Sequence, residues 1–540
     1  MRTLLIYPRF PQSFWSFEKT LQLIGRKAML PPLGLVTVAA ILPQNWEFRL
    51  VDRNVTDLTE ADWNWAELVI LSGMIVHRDD LCSLIQEAKR RNKKVAVGGP
   101  YPTSFPHELE EAGADYLILD EGEITLPMFV EALAEGKETG TFRATEKPDI
   151  TQTPIPRFDL LQLEAYSEMA IQFSRGCPFQ CEFCDIIVLY GRKPRTKSPQ
   201  QLIAELERLY ELGWERSIFM VDDNFIGNKR NVKKLLGELA PWMEERAYPF
   251  SFSTEASVDL ANDEELMDLM TDCNFNAVFL GIETPDESSL TVTKKYQNTR
   301  DPLAESVEKI TRSGLRVMAG FIIGFDGEKT GAGQRIVDFV EKTSIPTAIF
   351  SMLQALPDTG LWHRLEQEGR LRGDANINQT TLMNFVPTRP LEEITREYID
   401  GFWQLYDAQK FLDRTYRHYR LLGTAPCHRK RREKAKQASK PKTKARNSID
   451  WQQIKALAVI CWRQGIVRKT RFTFWWYLWQ MFLHNRSGIP SYLGVCAQAE
   501  HFIEYRQLVK ERIESQLEAY LTLQAEPTDE KITKAFTLSQ

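Results

Sequence analysis

The 540-residue sequence predicts an α/β protein in three parts: an N-terminal doubly wound domain (1–140), a partial (β/α)6 barrel (168–389) and a mainly helical C-terminal domain (390–540). Three observations predict it. Up to about residue 140, short continuous apolar runs alternate with amphipathic segments, the pattern of a parallel sheet covered on both faces. After a Pro- and Thr-containing stretch at 141–167, read as a linker crossing the surface, the alternation resumes with six more strand–helix units. Past about 390 only helical, less regular patterning remains.

In the first series the strands read "TLLIYP", "FRLVD", "LVILSG", "KVAVGG" and "YLILD". Ligands of such sheets sit beyond the carboxyl ends of the strands. Those ends carry Tyr7-Pro8, Asp52-Arg53-Asn54, Ser72-Gly73-Met74, Gly98-Gly99-Pro100 and Asp120-Glu121-Gly122-Glu123. The Gly98-Gly99 pair lets a bulky ligand approach the backbone. No G-x-G-x-x-G follows the first strand, which disfavours a dinucleotide. The second series reads "AIQFSRG", "SIFMVDDN", "FSFSTEAS", "AVFLGIET", "RVMAGFIIG" and "AIFSMLQALP", and active sites of barrels lie at the C-terminal strand ends.

With 43% hydrophobic and 26% charged residues and a net charge of -5, the chain reads as soluble and globular, and its global charge names no partner. No secretory leader pattern opens it, and no apolar run approaches the ~18 residues of a spanning helix. The expected location is the cytoplasm, with contact at a membrane surface as the most the sequence suggests. That compartment is reducing and disfavours structural disulfides. Of eight cysteines, Cys82, Cys273, Cys427, Cys461 and Cys496 are scattered and read as small buried apolar residues.

Within the C-terminal part, 428–446 carries ten Lys/Arg against one Glu and reads as a solvated segment, with nucleic acid the less favoured partner. The stretch 468–486, "RKTRFTFWWYLWQMFLHNR", is too short to span a bilayer. It fits either an interfacial helix or ordinary packing on a core.

The remaining cysteines, Cys177, Cys181 and Cys184, form C-x3-C-x2-C within "SRGCPFQCEFCDI", just after the first barrel strand. A structural zinc site wants four ligands, and no fourth lies near in sequence. Cuboidal iron–sulfur clusters normally take four cysteines as well. Three thiolates from one loop can hold three irons of a cubane and leave the fourth open. With the aromatic Phe183 before the last cysteine and the six-unit frame around it, the motif resembles the radical S-adenosylmethionine (SAM) superfamily. In that family a [4Fe-4S] cluster chelates SAM at its open iron and, once reduced, cleaves it to a 5'-deoxyadenosyl radical. The resemblance implies further SAM contacts at strand ends: Asp222, Asp223 and Asn224 for the ammonium group, Ser253 and Glu255 for the ribose, and Glu283. Gly320 and Gly324 would let adenine lie against the backbone. The same polar residues could instead cap the helices that follow the strands.

The N-terminal domain, with "PPLGL", "VDRN", "LSGM" and "GGPYPT", looks like the cobalamin-binding domain of the cobalamin-dependent radical SAM enzymes. The implied contacts are Asp52, Arg53, Asn54, Ser72, Gly98, Gly99 and Pro100. The loop from Asp52 lacks the histidine of D-x-H-x-x-G, so it would offer cobalt no histidine ligand. The whole chain is similar to the subfamily that includes hopanoid C-2 methylase, which implies a C-methyltransferase acting on an unactivated carbon of a hopanoid, another isoprenoid lipid or a tetrapyrrole. A flavodoxin or ferredoxin would supply electrons. A radical SAM cyclase or oxidoreductase on a tetrapyrrole is the nearest alternative, and a non-catalytic cobalamin or iron–sulfur sensor binding nucleic acid is the alternative of another class. A tRNA methylthiotransferase is disfavoured, because 1–176 contains only Cys82.

Overall fold

The computed structural model describes residues 1–373, 375–425 and 451–525; the basic stretch 428–446 and Cys427 lie outside them. The N-terminal sheet is wholly parallel. Its strands β1 (Arg2–Tyr7), β2 (Glu47–Asp52), β3 (Leu68–Ser72), β4 (Lys94–Gly98), β5 (Tyr116–Ile118) and β6 (Gly140–Phe142) lie in the order 2-1-3-4-5-6. Strand order reverses at β1, so the loops after β1 and β3 flank a crevice where ligands of such sheets bind. Side chains alternate across the sheet as the two-residue repeat requires. Leu4 and Ile6 join one buried cluster, while Leu5 joins the other.

The stretch 141–167, expected as a linker crossing the surface, also contributes to the fold. Its first residues complete β6, which pairs with β5, and three short 3-10 turns follow. Ile150, Phe158 and Tyr166 are buried, each anchoring the path against a domain. Three residues, "GTF", are too short a run to signal a strand, and the Pro and Thr around them signal only a loop.

The barrel strands are β7 (Met169–Ile171), β10 (Ser217–Met220), β11 (Ser251–Ala256), β12 (Phe275–Glu283), β13 (Arg316–Ile323) and β14 (Thr347–Met352), all parallel and in sequential order. Between β7 and β10, the short strands β8 (Ser174–Arg175) and β9 (Arg195–Thr196) pair antiparallel and close the base of the cysteine loop. Amphipathic helices such as Pro199–Glu211, opened by the Ser198 cap and Pro199, bury their apolar stripe against the outer face of the sheet.

The C-terminal helices Leu391–Leu405 and Ala408–Leu422, then Trp451–Trp462, Arg471–His484 and Ile489–Ala525, share one apolar core with the barrel. The longest of them also grips the N-terminal chain: Phe14 stacks on Phe502 at 4.6 Å, and His501 bonds the Ser13 and Phe14 carbonyls at 3.1 Å. No helix among the described residues is long and apolar enough to cross a membrane.

Candidate active site

The carboxyl ends of the two sheets face one another across a cavity of about 1200 Å³. One wall carries Ser72, Gly73, Gly98, Gly99, Pro100, Arg53 and Asn54; the other carries Gln172, Arg175, Tyr190 and Asp223. Apolar lining comes from Phe10, Trp15, Met29, Leu30 and Ile377.

Buried ion pairs lock the two walls together. Arg175 reaches Glu121 at 2.9 Å and Glu123 at 2.8 Å, and Arg195 reaches Glu121 at 2.8 Å. All four side chains are at least 86% buried, so the interface is rigid only while every charge is matched. A second tie runs from Tyr166, whose hydroxyl donates to Asp52 at 2.9 Å.

On the N-terminal wall the cradle is backbone. Gly99 has φ 106°, in the region glycine favours, and a Cβ there would lie 2.7 Å from Ser72 Oγ. A Cβ on Gly98 would lie 2.8 Å from the Ile118 carbonyl oxygen. A large flat ligand can rest on such a surface, and the donor set fits a cofactor held by shape. Of the residues expected to contact it, Asp52 turns inward, and Asn54 lines the cavity with its side-chain amide bonded to the protein. Asp52 accepts from the Asn54 backbone and side chain and from Tyr166, and Asn54 also donates to the Pro8 carbonyl. Arg53 is paired with Asp80. His77, unremarked in the sequence, is buried between Tyr7 and Phe10; its Nδ1 accepts from the Met74 N–H at 3.0 Å, and burial lowers its pKa to about 4.

In the barrel the three cysteine side chains sit in one loop, Cys181 buried and Cys177 and Cys184 half-buried; none of them lines the cavity, but Arg175 and Tyr190 on either side of the loop do. The Cys177 N–H bonds the Gly191 carbonyl, which shapes the loop, and a Cβ on Gly176 would strike that same carbonyl at 2.8 Å. Burial and the neighbouring cysteines push the Cys177 and Cys184 thiols up. Thiols that raise one another's pKa in the absence of metal fit a cationic cluster, which would take them as thiolates. Among the described residues no three His, Cys, Asp or Glu side chains gather tightly enough to hold a single metal ion.

Two amides reach the sulfurs: Gln297, which the sequence did not signal, places Nε2 3.6 Å from Cys181 Sγ, and Asn224, expected at the ammonium group of SAM, places Nδ2 3.9 Å from Cys177 Sγ. Lys295, also unsignalled, is buried beside Cys181 and Cys184 and sits 5.8 Å above the Phe183 ring. Its partner is Glu283, which a shift in register and a φ of 65° turn toward it. Glu283 is therefore committed to the lysine rather than open to SAM.

Three more expectations change. Asp222 accepts from the Phe173 and Ser174 N–H groups at 2.7 and 2.9 Å and from Ser174 Oγ, so it holds the turn before the cysteines and is closed to a ligand. Gly320 packs against Phe279 and Gly324 against Met383, and unlike Gly98 and Gly99 neither lines the cavity, so neither offers adenine a cradle there. Asp223, Ser253 and Glu255 remain. Asp223 accepts only a long bond, 3.3 Å, from the Gly176 N–H. Ser253 and Glu255 alternate with buried neighbours on β11 and share its inner face. Burial, with Asp223 and Glu283 nearby, raises the Glu255 pKa to about 8, and burial raises that of Asp223 to about 6. No cation faces Glu255 among the described residues; carboxylates crowded without a counter-charge fit a cationic ligand such as SAM.

Family models match along the chain: a B12 binding domain at 23–130, the radical SAM superfamily at 171–340, and a domain of unknown function, DUF4070, at 359–515. An uncharacterized methyltransferase of Synechocystis sp. is 63% identical over 97% of this chain and 95% of its own length. Hopanoid C-2 methylase of Rhodopseudomonas palustris is 34% identical, covering 93% of each chain. This chain belongs to the cobalamin-binding radical SAM methyltransferases.

The fold of this methyltransferase agrees with two solved structures. OxsB, a cobalamin-dependent SAM radical enzyme, aligns over 100% of this chain and 83% of its own with a TM-score of 0.57 at 14% identity. TsrM of Kitasatospora setae, a radical SAM methyltransferase, aligns over 73% and 82% with a TM-score of 0.57 at 17% identity. Membership brings a [4Fe-4S] cluster, SAM and cobalamin as the cofactors of the enzyme.

Proposed function

We propose that the enzyme is a C-methyltransferase acting on an unactivated carbon of a polycyclic isoprenoid lipid of the hopanoid class, in the cytoplasm. The observation that carries this reading is the cavity between the glycine wall and the barrel strand ends, lined by Arg175 and Tyr190 on either side of the cysteine loop and in part apolar. Support for the substrate class comes from hopanoid C-2 methylase, which is similar along nearly the whole chain, the C-terminal helices included.

When bound, the cofactors supply one-electron cleavage of SAM and a transferable methyl group; a flavodoxin- or ferredoxin-type protein is the proposed reductant. The chain's own residues do the rest. Cys177, Cys181 and Cys184 hold the cluster from one loop. Gln297 and Asn224 donate toward its sulfurs, and Lys295 places a positive charge beside them. Asp223, Ser253 and Glu255 receive the polar groups of SAM. Ser72, Gly98, Gly99 and Pro100 carry cobalamin against the backbone, with Arg53 at its edge. Phe10, Trp15, Met29, Leu30 and Ile377 bury the lipid and keep water from the reacting carbon.

The test is mass spectrometry of lipids and pigments from a deletion strain. Loss of one isoprenoid lipid, with gain of the same compound lighter by one methylene, is expected. The same change in a tetrapyrrole would replace the substrate class. Release of 5'-deoxyadenosine without any methylated product from the purified enzyme would refute methyl transfer.

A further inference from the structure

Between Trp451 and Ala499 the chain holds six Lys/Arg and no Asp or Glu, although the whole sequence has more acids than bases. Within that run the helix Arg471–His484 is apolar on both sides. Phe474 and Met481 are fully buried, with Tyr477 and Leu478 packed beside them. The opposite side carries Phe472, Trp475, Trp476, Trp479, Phe482 and Leu483, each 45–76% exposed. A helix apolar all round is ordinarily enclosed on all sides, and this one is enclosed on one.

The exposed side continues onto the preceding turn. Residues Arg463–Val467 form a π turn that pushes Ile466 and Val467 outward, 51% and 61% exposed. The turn is pinned by Trp475, whose Nε1 donates to the Gly465 carbonyl at 2.8 Å. A Cβ on Gly465 would strike the same ring at 2.7 Å, so the turn and the aromatic helix are built as one surface. Cations rim it: Arg471 stacks on Phe472 at 4.9 Å, Arg486 on Phe482 at 4.7 Å, and Lys469 is exposed between them and the turn.

We propose that this surface is a docking face for an anionic lipid bilayer, with the helix lying in the plane of the headgroups. Tryptophan rings prefer that depth, and the rim cations Lys469, Arg471 and Arg486 are complementary to anionic headgroups. A second copy of the chain would bring the same cations against themselves.

Sedimentation of the full-length, cofactor-loaded enzyme with vesicles tests the proposal. Pelleting is expected with phosphatidylcholine–phosphatidylglycerol vesicles, weakening with salt, and not with phosphatidylcholine alone. W476E/W479E changes two exposed rings and should weaken binding at least ~10-fold while iron content stays that of the wild type. K469Q/R471Q/R486Q should weaken it roughly fivefold for each charge removed. Equal pelleting with neutral vesicles, or an aromatic variant that binds as tightly as the wild type, would overturn the proposal. So would absence of pelleting together with a concentration-dependent dimer that W476E/W479E abolishes, which would assign the face to a second copy. Because none of these readings uses turnover, failure here would leave the methyltransferase reading standing.

Discussion

The two walls of the cavity are built on opposite plans. The N-terminal wall presents glycine backbone, and its polar side chains, Asp52 and Asn54, are spent on the protein itself. The barrel side presents Asp223 at the cavity with Arg175 near it and, deeper, the cysteine loop and Glu255, which no cation faces among the described residues. A bulky neutral face is best recognised by shape and close backbone approach, a small cationic ligand by desolvated charge. The contrast therefore assigns each wall its kind of ligand before any ligand is present.

The sharpest break of that contrast removes the thiols. C177A/C181A/C184A should lose all reconstituted iron and sulfide while cobalamin binding persists, as measured by metal analysis and absorbance. Gly98→Val with Gly99→Val should do the reverse, abolishing cobalamin copurification and leaving iron intact. If either change removed both cofactors, the walls would not be independent.

Next in size is the tie between the walls. Glu121→Ala leaves Arg175 and Arg195 buried without a full complement of charge, a change that costs about 3–5 kcal/mol, read in a denaturant titration. Glu255 offers a smaller effect with a defined sign. Its folded pKa, about 8, lies above the 4.5 of an ordinary Glu, so between those values the folded state holds a proton the unfolded state lacks. Stability of the cofactor-free protein should then fall as pH rises from about 4.5 to about 8, and E255Q should flatten that slope. The same variant should weaken SAM binding in calorimetry. Smallest of all, Cys273→Ala and Cys496→Ala should leave iron content unchanged and cost roughly 1–2 kcal/mol, since both are buried with thiols pushed up to about 12.

What the sequence could show was whatever lies on one short stretch. Eleven strands of the two parallel sheets announced themselves, most as short apolar runs and some, like β11, by alternation, and the cysteine motif is complete within eight residues. Two of the misses are partnerships across the chain. Gln297 is 116 residues from Cys181, and Glu121 is 54 from Arg175, so no local pattern announces either contact. Strand-end position also says nothing of where a side chain turns. Asp222 and Asp223 are adjacent, yet one is closed against the Phe173 and Ser174 amides and the other lines the cavity.

Glu121 is held by the two arginines at either base of the cysteine loop, Arg175 two positions before Cys177 and Arg195 eleven after Cys184. The loop that receives iron is thus finished by a carboxylate from the other domain. Without its neighbour the barrel would keep only the neutral partners of these arginines, the Gln172 side chain for Arg175 and the Pro148 and Tyr190 carbonyls for Arg195. Glu121 thus completes the charge balance of a loop that belongs to the other domain.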